Sequence, residues 1–328
     1  MSKRFNFILS GLTLLPLIQP AFLTKISIAS SAAVLISSTQ KVNASERYNF
    51  YFDRGAKKYD KGDSSGAIAD YTKAININSQ DENAFYNRGL AKHDLEDYSG
   101  SLADYTSAID LNPNDPDFYF QRGLSYIDSG DNKKAIKDYT KVIQLTPEDS
   151  LAYYNRAISK ENIEDFKGAI KDYTKTIDLD PKYADAFINR GTLKEDAGDS
   201  KGAIKDFDEA IRLEPEDALA FYNRAISRGT LEDYYGEISD YNKAIQINPN
   251  EPDFFNNRGY AKELIKDLDG AIADYTKAIN LNSEDPMYYY NRGVALGSLD
   301  DMKGACKDWR KAASLGDKEA ATFVKEDC

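Results

Sequence analysis

An arginine recurs every 34 residues along most of the chain, without one insertion or deletion. Asp53-Arg54-Gly55 returns as Asn87-Arg88-Gly89, Gln121-Arg122-Gly123, Asn155-Arg156-Ala157, Asn189-Arg190-Gly191, Asn223-Arg224-Ala225, Asn257-Arg258-Gly259 and Asn291-Arg292-Gly293. Eight units therefore run from Tyr48 to Glu319: 48–81, 82–115, 116–149, 150–183, 184–217, 218–251, 252–285 and 286–319. A unit this short cannot bury a core of its own, so neighbours must stack into one continuous array. The two globular domains that 328 residues would suggest are thereby excluded.

Numbering each unit from 1, position 4 is aromatic throughout, from Tyr51 to Tyr289, and position 8 is Gly or Ala. Position 24 is aromatic in all eight units (Tyr71, Tyr105, Tyr139, Tyr173, Phe207, Tyr241, Tyr275, Trp309). Position 20 is small except at Glu237. Spacings of four and seven put these residues on one face of each of two helices, a helical hairpin. An Asp at position 16, from Asp63 to Asp301, stands where it can cap the second helix. Pro113, Pro147, Pro181, Pro215 and Pro249 end units at position 32, since proline cannot continue a helix.

The large-aromatic, small, small, aromatic, small, proline pattern at 4, 8, 20, 24, 27 and 32 resembles the tetratricopeptide repeat family over 272 of 328 residues. The resemblance implies an all-α, right-handed superhelical solenoid of eight helix-turn-helix units, closed by a capping segment over 320–328 in a short helix that Asp317 can cap from Lys318 onward. It also implies a non-catalytic scaffold whose concave groove binds an extended peptide or a partner's helix. A structural part in an envelope assembly, acting through the convex face or the ends, is the alternative. One departure stands out: the family usually has an aliphatic residue at position 7, and here it is Arg in all eight units.

Position 23 is Asp in every unit: Asp70, Asp104, Asp138, Asp172, Asp206, Asp240, Asp274 and Asp308. A residue required by every unit answers to stacking, so Arg54, Arg88, Arg122, Arg156, Arg190, Arg224, Arg258 and Arg292 are expected to pair with these carboxylates, within the hairpin or across a junction. A basic stripe for anionic ligands is the competing reading, and a carboxylate for every guanidinium argues against it.

By the family resemblance, positions 2, 5, 6, 9, 12 and 13 face the groove. Asn87, Asn155, Asn189, Asn223, Asn257 and Asn291 at position 6 would form an amide ladder able to hold a peptide backbone. Equally, they could brace the turn beside the arginine. Tyr86, Tyr154, Tyr222 and Tyr290 at position 5 are either groove anchors or core. The acids at positions 12 and 13 favour a partner with a basic extended segment.

Residues 1–44 carry four cations and no acid, so removing them takes the net charge from −12 to −16. That surface repels phosphate backbones, and nucleic acid is not an expected partner. Ser2-Lys3-Arg4, apolar runs from Phe5 to Ile18 and from Ile26 to Ile36, and small residues in Val42-Asn43-Ala44 read as an export signal cleaved after Ala44. The rivals are an uncleaved anchor over Phe5 to Thr24, the one route to membrane attachment, and an intracellular chain with an odd leader. Export into a periplasmic or other extracytoplasmic bacterial compartment would let Cys306 and Cys328, both in the closing element, form a disulfide rather than remain buried thiols. Two Cys and one His, His93, cannot build a four-ligand zinc site of the usual kind. No nucleophile-base motif, phosphate loop or cofactor signature occurs, so neither enzyme activity nor a cofactor is expected.

Overall fold

The computed structural model describes residues 28–328, and side chains from 41 onward except that of Val42. Its helices are α1 (Ile28–Tyr59), α2 (Ser64–Ile77), α3 (Glu82–Asp94), α4 (Tyr98–Leu111), α5 (Pro116–Asp128), α6 (Asn132–Leu145), α7 (Ser150–Glu161), α8 (Phe166–Leu179) and α9 (Ala184–Asp196). There follow α10 (Ser200–Leu213), α11 (Ala218–Thr230), α12 (Tyr234–Ile247), α13 (Pro252–Leu264), α14 (Leu268–Leu281), α15 (Pro286–Ser298), α16 (Met302–Ser314) and α17 (Lys318–Asp327). No strand occurs among the described residues. Each unit is one antiparallel hairpin, and consecutive hairpins stack into a helical repeat solenoid.

Capping fixes where each second helix begins. The Asp at position 16 accepts a hydrogen bond from the backbone N–H three residues on in all eight units, from Asp63 with Gly66 to Asp301 with Gly304. The residue before it, at position 15, must take a left-handed conformation. Gly62, Gly130 and Gly198 do so freely, but Glu96, Glu164, Glu232, Lys266 and Asp300 are held there at φ between 60° and 67°. An L-residue pays about 1–2 kcal/mol for that conformation.

Packing explains the small residue at position 8. A Cβ on Gly191 would lie 2.7 Å from the Phe207 ring, so the first helix presses its backbone onto the position-24 aromatic of the second. That ring and the Ala at position 20 form the buried core line of the stack: Tyr71, Tyr105, Tyr139, Tyr173, Phe207, Tyr241 and Tyr275 are all essentially inaccessible.

The odd-numbered helices also touch one another: α1 with α3, α3 with α5, α5 with α7, α9 with α11 and α13 with α15. Even-numbered helices make no comparable contact, so the first helices crowd together on the inner wall of the curve and the second helices splay on the outer one.

α1 runs unbroken through Ala44 and Tyr48. The closing helix starts at Lys318, where Gly316 turns in a left-handed conformation and Asp317 caps it by accepting from the Ala320 N–H. The basic start and first apolar run of the leader, including the anchor span Phe5 to Thr24, lie outside the described residues. Among the described residues no helix is long and apolar enough to cross a membrane.

Candidate functional site: the inner wall and its braces

The arginine at position 7 is the hub of each unit. In all eight units its Nε and Nη2 donate to the two oxygens of the position-23 Asp of the same hairpin, at 2.5–2.9 Å. From Arg88 onward Nη1 also donates back to position 25 of the preceding unit: Thr72, Thr106, Thr140, Thr174, Asp208, Asn242 and Thr276 receive it at 2.7–3.1 Å. Each guanidinium also sits over the position-4 ring of its own unit, for example 5.7 Å from Phe187 for Arg190. The arginine therefore closes its hairpin and staples it to its neighbour, which is why an aliphatic residue does not serve here.

The carboxylates are almost wholly buried, and most have a second cation that reading the sequence missed. Lys58, Lys92, Lys160, Lys194, Arg228 and Lys262 at position 11 lie 2.7–2.8 Å from the Asp. Arg54 and Lys58 hold the Asp70 carboxyl well below the usual carboxylate range, despite its burial. The signal was present: a cation at position 11 in six units, failing only at Tyr126 and Leu296.

The inner wall does not repeat every unit. It alternates with a period of two. At position 5 the even-numbered units carry Tyr86, Tyr154, Tyr222 and Tyr290, whereas the odd ones carry Phe52, Phe120, Ile188 and Asn256. Each even-unit tyrosine is covered by a ring that follows it: Tyr86 by Phe118 at 5.1 Å, Tyr222 by Phe254 at 5.0 Å and Tyr290 by Phe323 at 6.1 Å. In unit 5 the corresponding residue is the small Ala186, and Tyr183 fills the gap, 4.7 Å from Tyr154.

This alternation divides the amide ladder. Asn189 and Asn257 donate to the hydroxyls of Tyr154 (3.2 Å) and Tyr222 (2.9 Å) in the unit before, and Gln121 stands beside Tyr86 in the same way. Asn291 donates to Asn256 at 2.9 Å. Those amides are braces. Asn87, Asn155 and Asn223 follow Phe52, Phe120 and Ile188, which have no hydroxyl to offer. Among the described residues Asn87 and Asn223 make no side-chain hydrogen bond, and Asn155 only reaches Leu151 O of its own helix, at 2.9 Å. All three are half-buried on the inner wall.

The position-5 tyrosines are correspondingly not protruding anchors. Tyr154 is buried, and Tyr86, Tyr222 and Tyr290 are half-buried against neighbouring rings. Burial pushes the phenols of Tyr86, Tyr154 and Tyr222 up, with Asp117, Asp185 and Asp253 raising them further. These three aspartates occupy position 2 of odd units, exposed and in no ion pair, while Leu151, Leu219 and Met287 occupy position 2 of the even ones, also exposed. The Asp117 side chain is partly covered despite the residue's exposure, and that desolvation, with Asp115 and Asp149, pushes its carboxyl up.

The acids at position 12 are turned to the core. Glu161 and Glu263 accept from Tyr173 and Tyr275 at 3.0 and 3.1 Å, and Glu195 accepts from Thr230 and Ser200. In unit 6 the same carboxylate comes from the other helix: position 12 is Gly229, and Glu237 at position 20 fills its space beside the Tyr241 hydroxyl. One Glu237 oxygen is buried without a partner, and burial pushes its carboxyl up to about 7. His93 contacts Asp128 of the next unit at 2.8 Å. No group of metal-ligating side chains is found among the described residues.

At the end of the stack Phe323 lies over Trp309, and the structure brings Cys306 and Cys328 together with Cα atoms 5.5 Å apart.

Models of the TPR repeat match residues 55–95, 91–127, 123–161 and 265–300, and models of the tetratricopeptide repeat match 188–252 and 151–183. The chain belongs to the tetratricopeptide repeat family. Members of this family bind other proteins or peptides. No curated protein matches the chain. Among solved structures, the crystal structure of MamA protein is 25% identical, with 53% of this chain and 95% of that one covered at a TM-score of 0.50. A tetratricopeptide repeat protein from Parabacteroides merdae is 19% identical, covering 85% of this chain and 98% of its own at 0.53. PilF of Pseudomonas aeruginosa is likewise 19% identical, with 64% and 97% covered at 0.55. The last two support the fold alone.

Proposed function

We propose that this tetratricopeptide repeat protein is a non-catalytic scaffold whose inner wall holds an extended, basic segment of another protein. The observation that carries the reading is the set of amides with no partner outside their own helix, Asn87, Asn155 and Asn223, one in every second unit. Two units advance roughly 20 Å along the stack, which an extended chain covers in about six residues. Each of these amides has an N–H left to donate to a carbonyl and an oxygen left to accept from an N–H of such a segment, while Asp117, Asp185 and the Asp253 oxygen that Tyr288 does not use take its lysines or arginines. Leu151 and Leu219 add apolar contact beside the free amides.

An array of unstructured ten-residue peptides graded in Lys and Arg content tests this. Wild-type protein should favour the basic peptides, and Asn87→Ala/Asn155→Ala/Asn223→Ala should lose on the order of 10- to 100-fold in affinity without losing stability. Asn189→Ala/Asn257→Ala should do the reverse, because those amides brace junctions. Unchanged peptide affinity in the triple variant refutes the mechanism. The protein is further proposed to act outside the cytoplasm after cleavage at Ala44, with Cys306 and Cys328 oxidised. Ser45 as the first residue of the protein recovered from its native host is the expected result, and an intact leader on soluble protein would overturn it.

A further inference from the structure

The rim formed by the helix-to-helix turns shows the same two-unit period, in a place where stacking does not require it. Position 14 is Leu95, Ile163, Leu231 and Leu299 in the even units, each 39–49% exposed. Odd units have Lys61, Ser129, Ala197 and Ile265 there. Beside these residues stand Tyr98, Phe166, Tyr234 with Tyr235, and Met302, of which Tyr235 is 76% exposed. Between them, at position 15, the even units hold Glu96, Glu164, Glu232 and Asp300 in the left-handed conformation that Gly62, Gly130 and Gly198 supply without strain in units 1, 3 and 5; unit 7 departs from the period, with left-handed Lys266 in place of an acid beside exposed Leu264. None of the four acids is in an ion pair among the described residues. The neighbouring Asp at position 16 adds a second carboxylate, one oxygen of which serves the helix cap; in unit 6 the other lies 4.0 Å from Arg228.

Next to one of these patches lies a hollow of about 450 Å³ lined by Phe166, Ile170, Leu193 and Ala197, with three acids, Glu164, Asp165 and Asp196, against one cation, Lys167, on its edge. Apolar side chains recurring every second unit, left open to water and ringed by strained, unpaired acids, do nothing for the stack. Their charge selects the occupant. A second copy pairing rim to rim would set carboxylate against carboxylate, and an anionic lipid surface would be repelled.

We propose that this rim is a docking surface, separate from the inner wall, for a partner protein presenting apolar side chains flanked by lysine or arginine at intervals of roughly 20 Å, the advance of two units. A periodic partner engages two or more patches at once, so its affinity rests on their spacing rather than on any single contact.

The test uses the full chain and a synthetic probe: a short peptide of lysines around a Leu-Leu pair, single or as two copies on a Gly-Ser linker of about 14 residues, which spans that distance. By fluorescence anisotropy the two-copy probe should bind on the order of 100-fold tighter than the single one. The gain should fall steeply with added salt and disappear with a four-residue linker. Ile163→Ser/Leu231→Ser should remove it, and Glu164→Gly/Glu232→Gly, which relaxes the turns, should reduce it several-fold in a protein that remains folded. Asn87→Ala/Asn155→Ala/Asn223→Ala should leave it unchanged. Equal affinity of the single and two-copy probes overturns the proposal. So does a gain lost in the asparagine variant, which would assign the probe to the inner wall. Sedimentation equilibrium showing a wild-type dimer that Ile163→Ser/Leu231→Ser dissolves would assign the rim to self-association instead.

Discussion

Glu237 makes the solenoid sensitive to pH in a window where its other strongly perturbed carboxyl is silent. The carboxyl is buried beside Tyr241 with one oxygen unpartnered and no cation in contact, and its pKa is pushed from 4.5 to about 7 by burial. A folded-state pKa above the unfolded one means that the folded chain keeps the proton longer. Stability is therefore fully present below about pH 4.5 and falls as pH rises toward 7, by up to about 1.4 kcal/mol per pH unit. The full loss is on the order of 3 kcal/mol by pH 8. Urea denaturation of wild type and Glu237→Gln at pH 5, 6, 7 and 8 reads this directly, because glutamine keeps the shape and cannot ionise. The variant should match the wild type within about 1 kcal/mol at pH 5 and exceed it increasingly above pH 6. Asp70 does not interfere: its carboxyl is held low by Arg54 and Lys58, so it removes stability only as pH falls below the normal carboxylate range. Gly229→Glu/Glu237→Ala moves the carboxylate back to position 12, as in units 4 and 7, and should also flatten the profile. A constant difference between wild type and Glu237→Gln from pH 5 to 8 would show that the carboxyl is solvated after all.

Asp206→Ala leaves Arg190 and Lys194, which lie 2.7 Å from it, without their carboxylate, and should cost roughly 3–5 kcal/mol in chemical denaturation. Cys306→Ser/Cys328→Ser should weaken α17 by about 3 kcal/mol under the loop-entropy model, read as faster hydrogen exchange confined to α16 and α17. Glu164→Gly relieves a left-handed glutamate at φ 64° and should stabilise the fold by roughly 0.5–1 kcal/mol once glycine's own entropy cost is set against the strain, read as a higher melting temperature.

What the sequence made legible was whatever every unit shares. The hairpin, the Asp63-to-Asp301 caps and the packing of position 8 on position 24 each recur at 34, and each has a single local cause. The arginine at position 7 was legible as structural but only in part. Its bond across the junction runs to a threonine hydroxyl in five of seven cases, a residue type too ordinary to attract notice at position 25. The inner wall stayed open between peptide ladder and brace because position 6 looks uniform. Asn155 and Asn189 are the same residue on the same helix face, yet Asn189 has a tyrosine hydroxyl in the preceding unit and Asn155 has Phe120. The difference lies one residue and one unit away, and comparison at a shift of 68 rather than 34 exposes it.

That two-unit period implies that the array should tolerate loss of a pair of units better than loss of one. Deleting 82–149 joins unit 1 to unit 4, and Phe52 then faces Ala152 and Asn155 as Phe120 does now, so the junction is native in kind. Deleting 116–149 alone joins unit 2 to unit 4. Tyr86 then loses Phe118, which is 2% exposed and packs 5.1 Å from it, and meets only Ala152. That hole resembles a buried Phe→Ala change, worth about 3–5 kcal/mol. Stacking energy alone ranks a seven-unit chain above a six-unit one, since each unit adds its own interface. The cavity is large enough to offset one interface, so the six-unit chain should melt at or above the seven-unit chain. Thermal unfolding of the two deletions side by side decides the point. A seven-unit chain that melts clearly higher would mean that the junctions are interchangeable and that the alternation on the inner wall has no part in holding the units together.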